Sequence, residues 1–171
     1  QRLAGFDANL IAYDPFITEE RAKELGVTLY EKLDEFIAAC DVMSVHLPKT
    51  KETVDIINAE ALKNAQPHLL LINTARGGIV NQNDLYEALR DGVIGGAGLD
   101  VFEKEPTTES PLFELDNVVV TPHLGASTSE AQDKAGLTIA EQMALALEGS
   151  FVPFALNLDA KAANAVVAPY I

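Results

Sequence analysis

Leu69 to Asp100 reads LLLINTARGGIVNQNDLYEALRDGVIGGAGLD. It opens on Leu69–Ile72, a short and continuous apolar run of the kind a buried parallel strand needs. Polar Asn73, Thr74 and Arg76 end the run. Gln82–Arg90 then has the spacing of a helix that stops at Gly92, and Ile94–Leu99 returns as a second apolar run. Strand, helix and strand within about thirty residues make a βαβ unit, with parallel strands and a right-handed crossover.

The same alternation extends in both directions. Asn9–Tyr13, Val42–Val45 and Val118–Thr121 read as further strands, again apolar without alternation, as suits strands covered on both faces. Thr18 is a good N-cap for a helix over Glu19–Leu25 that stops at Gly26. Glu31–Ala39 and Ser129–Leu147 read as helices, the latter closed by Gly149. Gln1–Phe6 reads as the end of a helix, with Gly5 near its stop. The expected fold is α/β, a Rossmann-type doubly wound parallel sheet. Residues 1–149 are expected to form a partial nucleotide-binding domain, and 150–171 a linker or tail toward a substrate or regulatory domain.

Composition narrows the class. Of 171 residues 48% are apolar and 22% charged, which suits a globular fold with a real core. The apolar runs, Leu69–Ile72 among them, are far too short to span a bilayer. No charged-then-apolar leader opens the chain, so secretion is not expected. A net charge of -14 argues against general affinity for nucleic acid or anionic membrane, both of which need a positive field. Cys40 is the one cysteine; it excludes an internal disulfide, suits a reducing cytoplasm and reads as a small core residue.

In an open α/β sheet, ligands bind outside the carboxyl ends of the strands. The residues that follow the five strands are Asp14 with Pro15, His46 with Leu47 and Pro48, Asn73 through Arg76, Asp100, and His123 after Pro122. A carboxylate, an imidazole, a guanidinium, a second carboxylate and a second imidazole are thus expected at one edge. Each has a bland explanation alone: Asp14 could be a turn residue, His46 a satisfied core histidine. Together they make a site. Asp14, closing a strand of a dinucleotide-binding unit, would accept hydrogen bonds from the adenosine ribose hydroxyls. Its charge repels the extra phosphate of NADP, and the nearest cation behind it is Arg21, so NAD is the expected cofactor. The glycine motif that holds the pyrophosphate precedes such an acid by about 20 residues. That count falls before residue 1, so the first strand and glycine-rich loop are expected to lie outside this chain, two strands to lack a neighbour, and the chain alone to be inactive. Gly95, Gly96 and Gly98 imitate the motif but sit in an apolar strand, where they read as close backbone packing. No metal is expected.

Asn73-Thr-Ala-Arg-Gly-Gly-Ile-Val80 resembles the D-2-hydroxyacid dehydrogenase family. Gly98-Leu-Asp-Val-Phe-Glu-Lys-Glu-Pro106 and Thr121-Pro-His-Leu-Gly-Ala-Ser-Thr128 are similar to its next two signatures, in order, and Tyr13-Asp-Pro15 and Val45-His-Leu-Pro48 fit as well. Glu130-Ala-Gln132 and the tail from Asn157-Leu158 to Pro169-Tyr170 look most like the D-3-phosphoglycerate dehydrogenase branch. The resemblance implies that Arg76 holds the substrate carboxylate and carbonyl, that His123 acts as acid and base, and that Glu105 is its carboxylate partner. It implies cofactor contacts at Asp14, Leu47 with its neighbours His46 and Pro48, Thr74, Ala75, Arg76, Asp100 and the loop of His123, Leu124, Gly125 and Ala126. Without the resemblance, Glu105 beside Glu103 and Lys104 reads as a solvated surface charge, and His68, after Pro67, as a surface residue.

These residue types suit the chemistry. Oxidising an alcohol to a ketone sends a hydride to the nicotinamide and releases the hydroxyl proton. A histidine is a suitable proton acceptor, a carboxylate beside it stabilises the imidazolium, and a forked guanidinium matches a carboxylate as Lys cannot. The function implied is NAD-dependent oxidation of a small D-2-hydroxy acid, foremost 3-phospho-D-glycerate in serine synthesis, by a cytoplasmic homodimer or higher homo-oligomer joined through its cofactor domains. The alternatives are another 2-hydroxyacid dehydrogenase, of the glycerate, glyoxylate or lactate type, and an NAD-sensing regulatory protein like the family's transcriptional corepressors.

Overall fold

The computed structural model describes residues 2–125 and 127–156. Among the described residues six strands and five α-helices follow in order: β1 (Ile11–Tyr13), α1 (Glu19–Glu24), β2 (Thr28–Tyr30), α2 (Leu33–Ala38), β3 (Val42–Val45), α3 (Ala59–Leu62), β4 (Leu70–Asn73), α4 (Gln82–Arg90), β5 (Gly96–Leu99), β6 (Val118–Val120) and α5 (Ser129–Leu147). Every strand pairing is parallel, so the chain has the expected α/β Rossmann-type architecture. The strands divide into two sheets, β1–β2 and β3–β4–β5–β6. The described residues divide into two units, one ending at His123, which holds both sheets, and one starting at Leu124, which holds α5.

Local chemistry sets the boundaries. Thr18, Asn58, Asn81 and Thr128 cap α1, α3, α4 and α5, each side-chain oxygen accepting the N–H three residues on. At the other ends the chain must turn through positive φ, which glycine adopts without a Cβ clash. Gly26, Gly92 and Gly149 do so at φ +68, +71 and +71.

Two elements differ from the sequence reading by appearing at all. β2 is three residues directly after the Gly26 turn, and α3 is a single turn; neither is long enough to show a period. At the start, Arg2–Phe6 is a 3-10 helix with no buried residue rather than the end of an α-helix.

Strand order β3–β4–β5–β6 follows chain order, so right-handed crossovers place their connecting helices on one face. That face carries the core, built on Met43, Val45, Leu71 and Leu99 with Ile37, Leu85 and Leu89 from the helices. The runs read as covered on both faces; here Val42, Leu70 and Val119, on the opposite face, are exposed. Gly95, directly before β5, and Gly96 within it are packing residues, as expected. A Cβ on Gly95 would come within 3.1 Å of the His68 backbone, and one on Gly96 within 3.0 Å of the Asn117 carbonyl.

Cys40 lies in this core, and burial pushes its thiol up to about 11. At pH 8 almost none of it is thiolate, the reactive form. A disulfide reagent is expected to leave Cys40 unmodified in the native protein and to label it stoichiometrically in denaturant; rapid native labelling would mean the core opens at this point.

Candidate functional site

The register of the four-stranded sheet levels its carboxyl edge. Val45 pairs with Asn73, Asn73 with Leu99, and Leu99 with Val120. The next residues along, His46, Thr74, Asp100 and Thr121, therefore leave the sheet at one level, with Arg76 and His123 two residues further on. In the other sheet Tyr13 pairs with Tyr30, and Asp14 leaves β1 at its carboxyl end. Asp14 Oδ1 accepts the Phe16 N–H at 2.9 Å, which fixes the carboxylate by its own turn. His46 Nε2 lies 2.9 Å from Ser44 Oγ. Leu47 packs against the core, and the Pro48 carbonyl accepts the Thr53 hydroxyl at 2.6 Å.

A buried amide shapes the turn that carries Arg76. Asn73 is 2% exposed; its Oδ1 accepts the Ala75 N–H and its Nδ2 donates to the Arg76 carbonyl, both at 3.1 Å. Ala75 is half-buried and Thr74 exposed beside it. The Arg76 guanidinium donates through one nitrogen to the Ala75 carbonyl at 2.6 Å. Among the described residues no carboxylate lies within ion-pair distance of it, although the chain carries 26 acidic residues against 12 basic ones. A guanidinium left without a carboxylate in so acidic a chain is available to an anionic ligand.

Glu105 and His123 meet from the ends of neighbouring strands. Glu105 Oε2 lies 2.6 Å from His123 Nδ1, and Oε1 accepts the Phe102 N–H at 2.9 Å. Both oxygens are thus engaged, and the hydrogen bond from His123, followed by that from Phe102, holds the carboxyl below the usual carboxylate range. An ionised carboxylate can only accept, so the shared proton belongs to Nδ1, and in the neutral ring the lone pair lies on Nε2. His123 has φ +56, a left-handed conformation that costs a non-glycine residue about 1–3 kcal/mol and persists where its surroundings enforce it. Asp100 is 4% exposed and accepts from the Thr121 hydroxyl, while its N–H donates to the Asn73 carbonyl at 3.0 Å.

Gly77 brings the two parts together. A Cβ there would fall 1.8 Å from the Phe102 carbonyl oxygen and 2.7 Å from the Glu103 nitrogen, so the backbone after Arg76 rests directly on the backbone that leads to Glu105. Sequence reasoning places Asn73 at the site edge without giving it a role, its signal being a polar residue directly after an apolar run, and passes over Gly77 and Phe102 as site residues. His68, read as surface, is exposed and lies 2.7 Å from Asp41; the two precede β4 and β3, at the opposite edge from the site. Leu124 and Gly125 begin the second unit, where the Leu124 carbonyl accepts the Ser127 N–H at 3.0 Å. Ala126 and the tail from residue 157 lie outside the described residues.

The donor set fits a dinucleotide. A carboxylate at the end of β1 offers acceptors for ribose hydroxyls, and the ends of β3, β4 and β5 add apolar, hydroxyl and carboxylate groups along one edge.

Comparison with known proteins agrees with that fit. The family described as "D-isomer specific 2-hydroxyacid dehydrogenase, NAD binding domain" matches residues 1–125. D-3-phosphoglycerate dehydrogenase of Mycobacterium leprae is 52% identical over 170 residues, 99% of this chain and 32% of that protein. The protein of the same name from Archaeoglobus fulgidus is 44% identical over 159 residues, 92% of this chain and 30% of its own length. The chain thus spans about a third of the length of these curated relatives. Among solved structures, the holo form of D-mandelate dehydrogenase from Rhodotorula graminis superimposes with a TM-score of 0.78 at 30% identity, over 84% of this chain and 42% of that one.

Proposed function

Since the chain belongs to the NAD-binding domains of the D-isomer specific 2-hydroxyacid dehydrogenases, we propose that it carries the cofactor site and the acid–base pair of an enzyme oxidising a D-2-hydroxy acid, with 3-phospho-D-glycerate as the substrate. The observation that carries this reading is the pair of Glu105 Oε2 and His123 Nδ1 at 2.6 Å, which leaves Nε2 as the proton acceptor.

Asp14 would hold the ribose, while His46, Leu47, Pro48, Thr74, Ala75 and Asp100 would line the rest of the dinucleotide. Bound NAD supplies a hydride acceptor. Arg76 grips the C1 carboxylate through two parallel N–H bonds and so orients C2. His123 Nε2 takes the proton of the C2 hydroxyl as the carbonyl forms, and the Glu105 carboxylate stabilises the imidazolium that results. In the reverse direction the same Nε2–H returns the proton. The 52% identical phosphoglycerate dehydrogenase supports the substrate and, with it, a place in serine synthesis. A cytoplasmic homo-oligomer joined through this domain completes the proposal.

The experiment is NAD reduction by the full-length gene product, followed by NADH absorbance with 3-phospho-D-glycerate, D-glycerate and D-lactate in parallel. The expected result is turnover with a clear preference for the phosphorylated acid. Preference for an unphosphorylated acid overturns the substrate; no turnover with any 2-hydroxy acid overturns the enzyme.

A further inference from the structure

Gln82 and Glu103 clasp each other's backbone. The Gln82 N–H donates to Glu103 Oε1 at 3.0 Å, and the Glu103 N–H donates to Gln82 Oε1. Gln82 is the first residue of α4, so its N–H has no partner within the helix, and a carboxylate is favoured there by the helix dipole. Two reciprocal bonds also resist pivoting in a way that one bond does not.

Its position gives it consequence. Gln82 lies six residues after Arg76, and Glu103 lies two residues before Glu105. Between them Gly77 rests on the Phe102 carbonyl, and the Phe102 N–H holds Glu105 Oε1. We infer that Gln82 and Glu103 are a positioning pair, fixing the separation of the Arg76 turn from the Glu105–His123 pair so that one molecule of acid meets both at once. The inference rests on the dehydrogenase reading of the site. If the clasp only capped α4, its loss would lower stability and leave the kinetics of the folded protein alone. A positioning pair acts on the hydroxy acid, whose two ends it registers, and spares NAD affinity.

The test uses the full-length gene product with Glu103→Ala, Gln82→Ala, the double variant and Glu103→Gln, all assayed well below their melting midpoints. A misplacement of about 1 Å costs up to about 100-fold. Each alanine variant is expected to lower kcat/KM for the hydroxy acid by about 10- to 100-fold, with KM for NAD within about twofold of wild type. The double variant should be little worse than either single one, because the two bonds act as a unit. Glu103→Gln keeps an acceptor in place and should recover to within about threefold of wild type. Kinetics unchanged in both alanine variants while the melting midpoint falls would reduce the clasp to a helix cap and overturn the inference. Failure of the underlying reading looks different, because wild type itself would then turn over no 2-hydroxy acid. In that event the low-field proton resonance of His123 Nδ1–H decides. It should shift or broaden in Glu103→Ala and be retained in Glu103→Gln; a resonance identical in all variants overturns the pair's role.

Discussion

Under the proposed mechanism, replacing His123 with glutamine is expected to lower kcat by about 10²- to 10⁴-fold, the range of a general base lost from a proton-transfer step. Glutamine can fill the space and still donate to Glu105, but it has no nitrogen lone pair to receive the hydroxyl proton. The loss should fall on kcat more than on KM for the acid, because Arg76 and its buried Asn73 support are untouched. Single-turnover measurement with the phosphorylated acid checks this; a variant within about tenfold of wild type would mean that another group takes the proton. Glu105→Gln should be milder in kcat but should change the acid limb of the pH profile. The carboxyl of Glu105 is held below the usual range by its two donors. A depressed folded value means that its contribution is complete above the ordinary carboxyl value of about 4.3 and disappears only as pH falls through the lower one. Wild type is therefore expected to keep the Glu105–His123 bond from neutral pH down through the ordinary carboxylate range. Early loss of the His123 Nδ1–H resonance on mild acidification would contradict that.

What the sequence reveals and what it hides divide along physical lines. α4 was legible to the residue because its positions have the helical spacing and Gly92 ends it. The strand ends were legible because a polar residue after a buried apolar run marks the point where a parallel strand leaves the sheet. β2 and α3 were not, since three or four residues cannot display a period. The site divides in the same way. Arg76 and His123 stand out by type and place. Glu105 reads locally as one more acid in a charged stretch, and only the fold reveals that both its oxygens are engaged. Gln82 with Glu103, and Gly77 with Phe102, are partners more than twenty residues apart, held by backbone groups that no local pattern encodes.

That last contact carries the largest structural prediction. Gly77→Ala adds one methyl group, but its carbon would stand 1.8 Å from the Phe102 carbonyl oxygen and 2.1 Å from the carbonyl carbon. No real Cβ tolerates such a distance, and the obstruction is backbone, which has no rotamer to swing away. The two segments must separate by more than an ångström. Overpacking of this kind costs about 1–3 kcal/mol and more where the backbone itself must move. The separation also strikes at function, because the Phe102 N–H bonds Glu105 and the segment behind Gly77 carries Arg76. Stability measured by denaturant unfolding should fall by at least that amount, and kcat/KM for the acid should fall in the fraction that remains folded. Gly136 supplies the control. It lies in exposed α5 with nothing among the described residues within 4 Å of its Cβ position, so Gly136→Ala should stabilise that helix by about 0.5–1 kcal/mol. If Gly77→Ala behaved like Gly136→Ala, neutral or stabilising with normal kinetics, the backbone contact that registers Arg76 against Glu105 would not exist in solution, and the positioning of the site would need another explanation.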